Sequence, residues 1–295
     1  MTMKTLAIDL ATVRVSAILN TASGSCDVEA EQVMRDLLAD AGVKNATLWC
    51  GDAGHMEQAF KEAKALAPDI LIVLGGDGTI RAGAEACSSE GPYLIPLPGG
   101  TMNMLPKALY GDRSWQEALR ETLANPSVKS VSGGTVGGRQ FFIAAIAGAP
   151  TLWAHAREAL REGDIGAAIE KGVHAFQNML AMTISYTFGT EHAGEAAAVA
   201  IICPLISEVM HDEERTLEAC AISVENAGEV LGFWSTAAFG AWRDDANVTI
   251  TKTRSITLSA AEHLPLILDG EAMDLGAEVT ITFVPEAFKA LVPVS

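Results

Sequence analysis

Along the first 125 residues, apolar positions switch between two spacings. Val13-Arg14-Val15-Ser16-Ala17-Ile18-Leu19 predicts a strand that ends at Asn20. Ala30, Val33, Met34, Leu37, Leu38 and Ala41 then recur at helical spacing, with Gly42 as the stop. Met56, Ala59, Phe60 and Ala63 mark a second amphipathic helix, closed by Pro68. Asp69-Ile70-Leu71-Ile72-Val73-Leu74 is a continuous apolar run, as expected of a strand covered on both faces of a parallel sheet. Tyr93 to Leu97 reads as another strand. Ser114 and Glu117 form a capping box opening a helix that buries Trp115, Leu119 and Leu123, and Asn125-Pro126 ends it. Strands alternating with helices imply right-handed crossovers and an open parallel sheet.

Beyond residue 130 the pattern changes. Gly137-Gly138 predicts a hairpin turn between short strands. A mostly apolar stripe of Trp153, Leu160, Ile165, Ile169, Val173, Phe176, Leu180 and Met182 predicts a long helical region over 152–182, broken near Gly163 and Gly166. Its apolar face suits ordinary core packing better than lipid entry. Strand patterns follow over 183–188, 196–203, 217–224, 248–251 and 264–268. In Val279-Thr280-Ile281-Thr282-Phe283, strict alternation predicts a strand with one buried face. Runs of strands without intervening helices argue for a separate antiparallel lobe. The fold class is therefore α/β: an N-terminal open parallel-sheet lobe, then a β-rich, antiparallel sandwich-like lobe. The lobes are expected over 1–130, rejoined by the chain end at about 285–295, and over 131–284.

Composition narrows the function classes. The 295 residues carry 20 Lys and Arg against 37 Asp and Glu, a net charge of −17. That balance argues against nucleic acid, whose binding rests on basic residues neutralising phosphates. The acidity is uneven: 11 basic and 16 acidic residues fall in the first 130, 9 and 21 in the rest. Mean hydropathy is high at +0.24, yet no run of about 18 uninterrupted apolar residues exists, so a spanning helix is not expected. Met1 to Leu10 lacks an apolar signal-peptide core, which points to a cytoplasmic protein. Cys26, Cys50, Cys87, Cys203 and Cys220 are scattered and never spaced C-x-x-C, which disfavours a disulfide framework or zinc site. The six histidines show no metal-binding spacing, and Trp234 and Trp242 read as packing residues.

Two glycine-rich loops carry the chemistry. Leu74-Gly75-Gly76-Asp77-Gly78-Thr79 lies between a buried strand and a predicted helix. Glycines there let a phosphate approach the backbone, and a helix N-terminus adds N–H groups and a favourable dipole. Thr79 is the expected N-cap, and Asp77 stands where it could hold a metal–phosphate complex. The plainer alternative is a tight turn in an ordinary strand–helix loop. A second unit repeats the arrangement: a strand, then Pro98-Gly99-Gly100-Thr101-Met102-Asn103, then a helix from Met104 to Leu109. Both loops would lie at the carboxyl edge of one sheet, where α/β ligands bind. Neither loop has the spacing of a Walker A or dinucleotide-binding motif.

These two loops together resemble the catalytic domain of the diacylglycerol kinase family of lipid kinases, which includes sphingosine and ceramide kinases. Asn20-Thr21-Ala22-Ser23-Gly24 is similar to the family's N-P-x-S-G loop. Leu268-Asp269-Gly270-Glu271, followed by Phe283-Val284-Pro285 and Val292-Pro293, resembles its C-terminal D-G-E segment and last strands. The resemblance implies transfer of the γ-phosphoryl group of ATP, with Mg²⁺, to a lipid hydroxyl of the diacylglycerol, ceramide or sphingoid type. It implies a nucleotide-binding first lobe and an acceptor-binding second lobe. Asn20, Ser23, Gly24, Gly75, Gly76, Asp77, Gly78 and Thr79 would hold ATP; Gly100, Thr101 and Asn103 would complete the cleft. Lys107 falls where the family usually has Arg. Asp269 would be the general base, with Glu271 beside it, and Asp77 and Glu271 would engage the metal. Side chains one residue apart at a strand end would share a face, which would place Asp269 and Glu271 together. The partners implied are a lipid alcohol and, transiently, a membrane surface met from the cytoplasm; a homodimer is left open.

The departures from the family pattern cluster away from the nucleotide motifs. Thr21 replaces a Pro, and Arg81-Ala82 stands for Asn-Glu. Met104, Leu105 and Pro106 replace Asp-Phe-Ala. Glu214-Arg215-Thr216-Leu217-Glu218 occupies the place of a D-G-x-L-D segment that serves a second, structural Mg²⁺ site in some bacterial members. Two other readings compete: a NAD-kinase-like small-molecule kinase, and a catalytically silent lipid- or nucleotide-binding regulator. The first should carry an Asn-Glu pair downstream for the nucleoside; the second draws on the lost accessory acids, although Asp77 and Asp269 are both present.

Overall fold

A computed structural model describes residues 8–24, 26, 29–148, 183–190, 192–210, 214–223 and 242–294. The predicted helical region over 152–182 and Trp234 lie outside them. The chain divides into two compact units, one running to Ser132 and resuming at Pro285, the other Gly133–Val284.

In the first unit, β1 (Arg14–Asn20), α1 (Ala30–Asp40), β2 (Asn45–Gly51), α2 (Met56–Ala65), β3 (Ile70–Gly75), α3 (Asp77–Cys87), β4 (Tyr93–Pro98), α4 (Met104–Tyr110) and α5 (Trp115–Ala124) follow in order. The sheet order is β2-β1-β3-β4, all parallel, and every residue of β3 is buried. β2 is the strand that hydrophobic patterning missed. It is an edge strand whose Asn45 and Thr47 dilute the apolar signal and whose residues are half-buried or exposed. The capping box forms as expected: Glu117 donates its N–H to Ser114 Oγ, and its carboxylate accepts the Ser114 N–H at 2.9 Å.

The chain leaves the first unit through β5 (Pro126–Val136). The second unit contains β6 (Arg139–Phe141), β7 (Ala144–Gly148), β8 (Ile184–Phe188), β9 (His192–Ala196), β10 (Ala198–Ile202), β11 (Leu217–Ile222), β12 (Val248–Thr253), β13 (Ser255–Ser259), β14 (Leu266–Leu268) and β15 (Glu271–Met273). One sheet runs β12-β11-β10-β7-β14-β15, antiparallel throughout. In the other, β9, β8 and β13 pair in that order and β13 meets the start of β16 (Glu278–Pro293), again antiparallel. Val199, Ile201 and Leu217 of one sheet share a core with Ile184, Ile256 and Ile281 of the other. Gly137 and Gly138, both at positive φ, make the expected β5–β6 turn.

β16 shows how burial writes sequence pattern. From Val279 to Phe283 its residues alternate buried and exposed, because one face of the antiparallel sheet meets the core. Past Pro285 the strand rejoins the first unit. There Ala287, Phe288, Ala290, Leu291 and Val292 are all buried, and Ala290 pairs with Leu94 of β4 in parallel. The Tyr110 hydroxyl donates to Leu291 O at 2.9 Å and fastens this end.

Candidate active site

The carboxyl ends of β1, β3 and β4 each lead into a loop named by the sequence: 20–24, 75–79 and 98–103. The parallel register brings them side by side, with Leu19 opposite Leu74 and Gly75 opposite Pro98.

Each loop is bound to the next through polar side chains. Asn20 is buried, and its amide nitrogen donates to Thr79 Oγ1 at 2.8 Å while its oxygen accepts from Ala22 N at 3.1 Å. Ser23 Oγ accepts the Gly76 N–H at 3.0 Å. Asn103 makes a two-way link with Gly100: its Oδ1 accepts the Gly100 N–H at 2.8 Å, and its amide donates to Gly100 O at 2.7 Å. Asn103 takes a left-handed backbone, which Asn tolerates better than most residues.

Asp77 is the knot. Its Oδ2 accepts the Asn103 N–H at 3.1 Å and its Oδ1 the Met104 N–H at 2.7 Å. A carboxylate at the start of α3 thus serves the opening turn of α4, and it favours both positively polarised helix ends. One expectation is overturned. Thr79 is not the N-cap of α3; Gly76, in extended conformation, takes that position and Asp77 opens the helix. Thr79 instead lies within the first turn, where its hydroxyl meets Asn20.

The glycines are required by how closely the loops approach. A Cβ on Gly100 would lie 2.6 Å from Gly76 Cα, and one on Gly99 would lie 2.8 Å from Gly75 N. Both obstacles are backbone, which no side-chain rotation can relieve. Gly24, Thr101 and Lys107 are exposed, while Gly76, Asp77, Gly78 and Thr79 are half-buried.

In the second unit, Asp269 and Gly270 form the two-residue turn of the β14–β15 hairpin, both at positive φ. The turn replaces the expected strand end, so strand alternation does not put Asp269 and Glu271 on one face. Glu271 is the first residue of β15, paired with Leu268. Gly270 is exposed, but Asp269 is buried at 7% exposure. Its Oδ2 accepts from Phe142 N at 2.8 Å, and its Oδ1 accepts from Ile143 N at 2.9 Å and Ala144 N at 3.0 Å. Its own N–H returns a bond to Ala144 O at 2.9 Å.

Among the described residues, no group of three or more His, Cys, Asp or Glu side chains could cage a metal ion. Magnesium that arrives with a nucleotide needs no such cage. It keeps several waters and is held by one or two carboxylates plus phosphate oxygens. Asp77, beside the glycine loops, fits that requirement. Sequence reasoning passed over Arg243, which the structure places against Glu218 from 25 residues away.

Comparison with known proteins agrees with this geometry. Residues 14–136 match the family described as the diacylglycerol kinase catalytic domain. The chain is 24% identical over 241 residues to the diacylglycerol kinase of Bacillus subtilis (strain 168), covering 77% of this chain and 78% of the relative. A crystal structure from Bacillus anthracis str. Sterne superimposes with a TM-score of 0.74 at 20% identity, over 97% of each chain. Another, of a diacylglycerol kinase from the same organism, gives 0.69 at 19% identity, over 95% of this chain and 96% of that one. These structures share the fold. Residues 14–136, which hold both glycine loops, thus match the diacylglycerol kinase catalytic domain, and a diacylglycerol kinase aligns over 77% of the chain.

Proposed function

We propose that this chain transfers the γ-phosphoryl group of ATP, with Mg²⁺, to the hydroxyl of a lipid alcohol of the diacylglycerol type. One observation carries the reading: the two glycine loops are clasped by Asp77 inside the very segment that matches the family. Phosphoryl transfer asks a protein chiefly for positioning and neutralisation of charge. The close backbone of Gly75, Gly76, Gly99 and Gly100 supplies the first. Mg²⁺ and Lys107 supply the second. Asn20, Ser23 and Thr79 hold the loops in shape for the nucleotide, while Asp269 accepts the hydroxyl proton. In this reading the first unit binds nucleotide and the second binds the acceptor. The test is incubation with γ-labelled ATP and Mg²⁺ against diacylglycerol, ceramide and a sphingoid base in mixed micelles. Label on diacylglycerol that chelation abolishes supports the reading; label on none of the three refutes it.

A lipid acceptor requires contact with a membrane surface. No helix among the described residues is long and apolar enough to cross one. A net charge of −17 repels anionic surfaces, and salt screens that repulsion. Association with liposomes is therefore weak, reversible and level or stronger as salt rises. Co-sedimentation at low and moderate salt checks this; binding that collapses at moderate salt contradicts it.

A further inference from the structure

The segment 214–218 departs from the pattern that serves a second, structural Mg²⁺ in some bacterial members of the family, and the donor set at Glu218 does not fit such an ion. Glu218, on β11, is fully buried at 0% exposure. A carboxylate so placed must find a positive partner or lose its charge. Its partner is Arg243, delivered by the 3₁₀ turn Trp242–Asp244. Arg243 Nε donates to Glu218 Oε1 at 2.8 Å, and Nη2 lies 3.4 Å from Oε2. Ser207 Oγ donates to Oε2 at 2.5 Å, and Cys220 Sγ lies 3.6 Å from Oε1. The remaining guanidinium nitrogen, Nη1, binds Glu208 at 2.9 Å, and the guanidinium carbon sits 4.4 Å from the Trp242 ring centroid. Among the described residues, Glu208 and Glu218 are thus both bound to one arginine.

A divalent ion needs about six oxygen donors and would share its carboxylate with a fixed positive charge. We propose that Arg243 is the resident counter-cation of Glu218, so the second unit keeps its structure without a divalent metal. The guanidinium provides a planar fork of donors that is always charged, which suits a buried carboxylate. The pair joins three stretches of chain. Ser207 also accepts the N–H groups of Val209 and Met210, so β11, the 203–210 turn and the 242–244 turn meet at one carboxylate.

The test is Mn²⁺ titration of the nucleotide-free full chain by electron paramagnetic resonance, alongside thermal melts with and without EDTA. The wild type and Glu218→Gln are expected to bind Mn²⁺ equally. Chelation is expected to move the wild-type midpoint by no more than about 1 °C, since a metal that is not bound confers no stability. Arg243→Met, which strands a buried carboxylate, should lower the midpoint by roughly 10 °C, with Arg243→Lys recovering part of it. A Mn²⁺ site present in the wild type and lost in Glu218→Gln overturns the proposal. So does Arg243→Met melting like the wild type. Should neither Glu218→Gln nor Arg243→Met fold, the wild-type midpoint decides: unchanged by EDTA it supports the proposal, and lowered by several degrees it overturns it.

Discussion

Asp269→Asn is expected to lower kcat by about 10² to 10⁴, the range for losing a positioned general base, with affinity for an ATP analogue little changed. The amide cannot take the acceptor's proton. It also disturbs the turn. Asp269 accepts N–H bonds on both oxygens, so whichever oxygen becomes NH₂ faces a donor, Phe142 on one side or Ile143 and Ala144 on the other. Leaving a buried N–H unmatched costs about 1–3 kcal/mol. The variant should therefore melt lower as well as turn over slowly, and rates must be taken where it is fully folded. Asp77→Asn provides the contrast. Its carboxylate clasps the two glycine loops, so its loss should weaken Mg·ATP binding. Steady-state kinetics and analogue titration of both variants check the assignment. Near-normal kcat in Asp269→Asn, with turnover lost and ATP affinity intact in Asp77→Asn, would reverse the two roles.

Gly100→Ala should cost about 10²-fold in kcat/KM for ATP, the scale of a displacement of about 1 Å in a positioned site. The added methyl would stand 2.6 Å from Gly76 Cα, so one loop must move. Any such shift pulls at the Gly100–Asn103 pair and at the Asp77 bonds to Asn103 and Met104. Kinetics across an ATP series, with a melt to show that the fold persists, would register it. Wild-type kcat/KM in Gly100→Ala would mean that the closeness of the loops is irrelevant to the nucleotide.

The sequence made the first unit legible because two-sided burial leaves unbroken apolar strands and helices leave a 3.6-residue period. Edge strand β2 and the short strands β9 and β15 are obscure for the converse reason: most of their residues are half-buried or exposed, so period and polarity blur. β13 is different: Ile256 and Leu258 alternate with polar residues and are buried, but its five residues are a short run. At the site, residue types were readable and bonding was not. Asp77 looked like a metal ligand, and nothing local shows that it holds backbone 26 residues away. Strand alternation predicts a shared face for Asp269 and Glu271, but positive φ at Asp269 and Gly270 makes a turn instead. Glu218 and Arg243 are 25 residues apart, and only β-sheet pairing and the 3₁₀ turn reveal them as partners.

The most direct measurement is where the label goes. Equal concentrations of NAD in solution and diacylglycerol in mixed micelles are offered together with γ-labelled ATP and Mg²⁺, and the products are split between organic and aqueous phases. The expected result is label in the organic phase on a product that migrates as a phosphorylated lipid, lost when Asp269 is replaced by Asn. Mg²⁺-dependent label confined to the aqueous phase on NAD would contradict it.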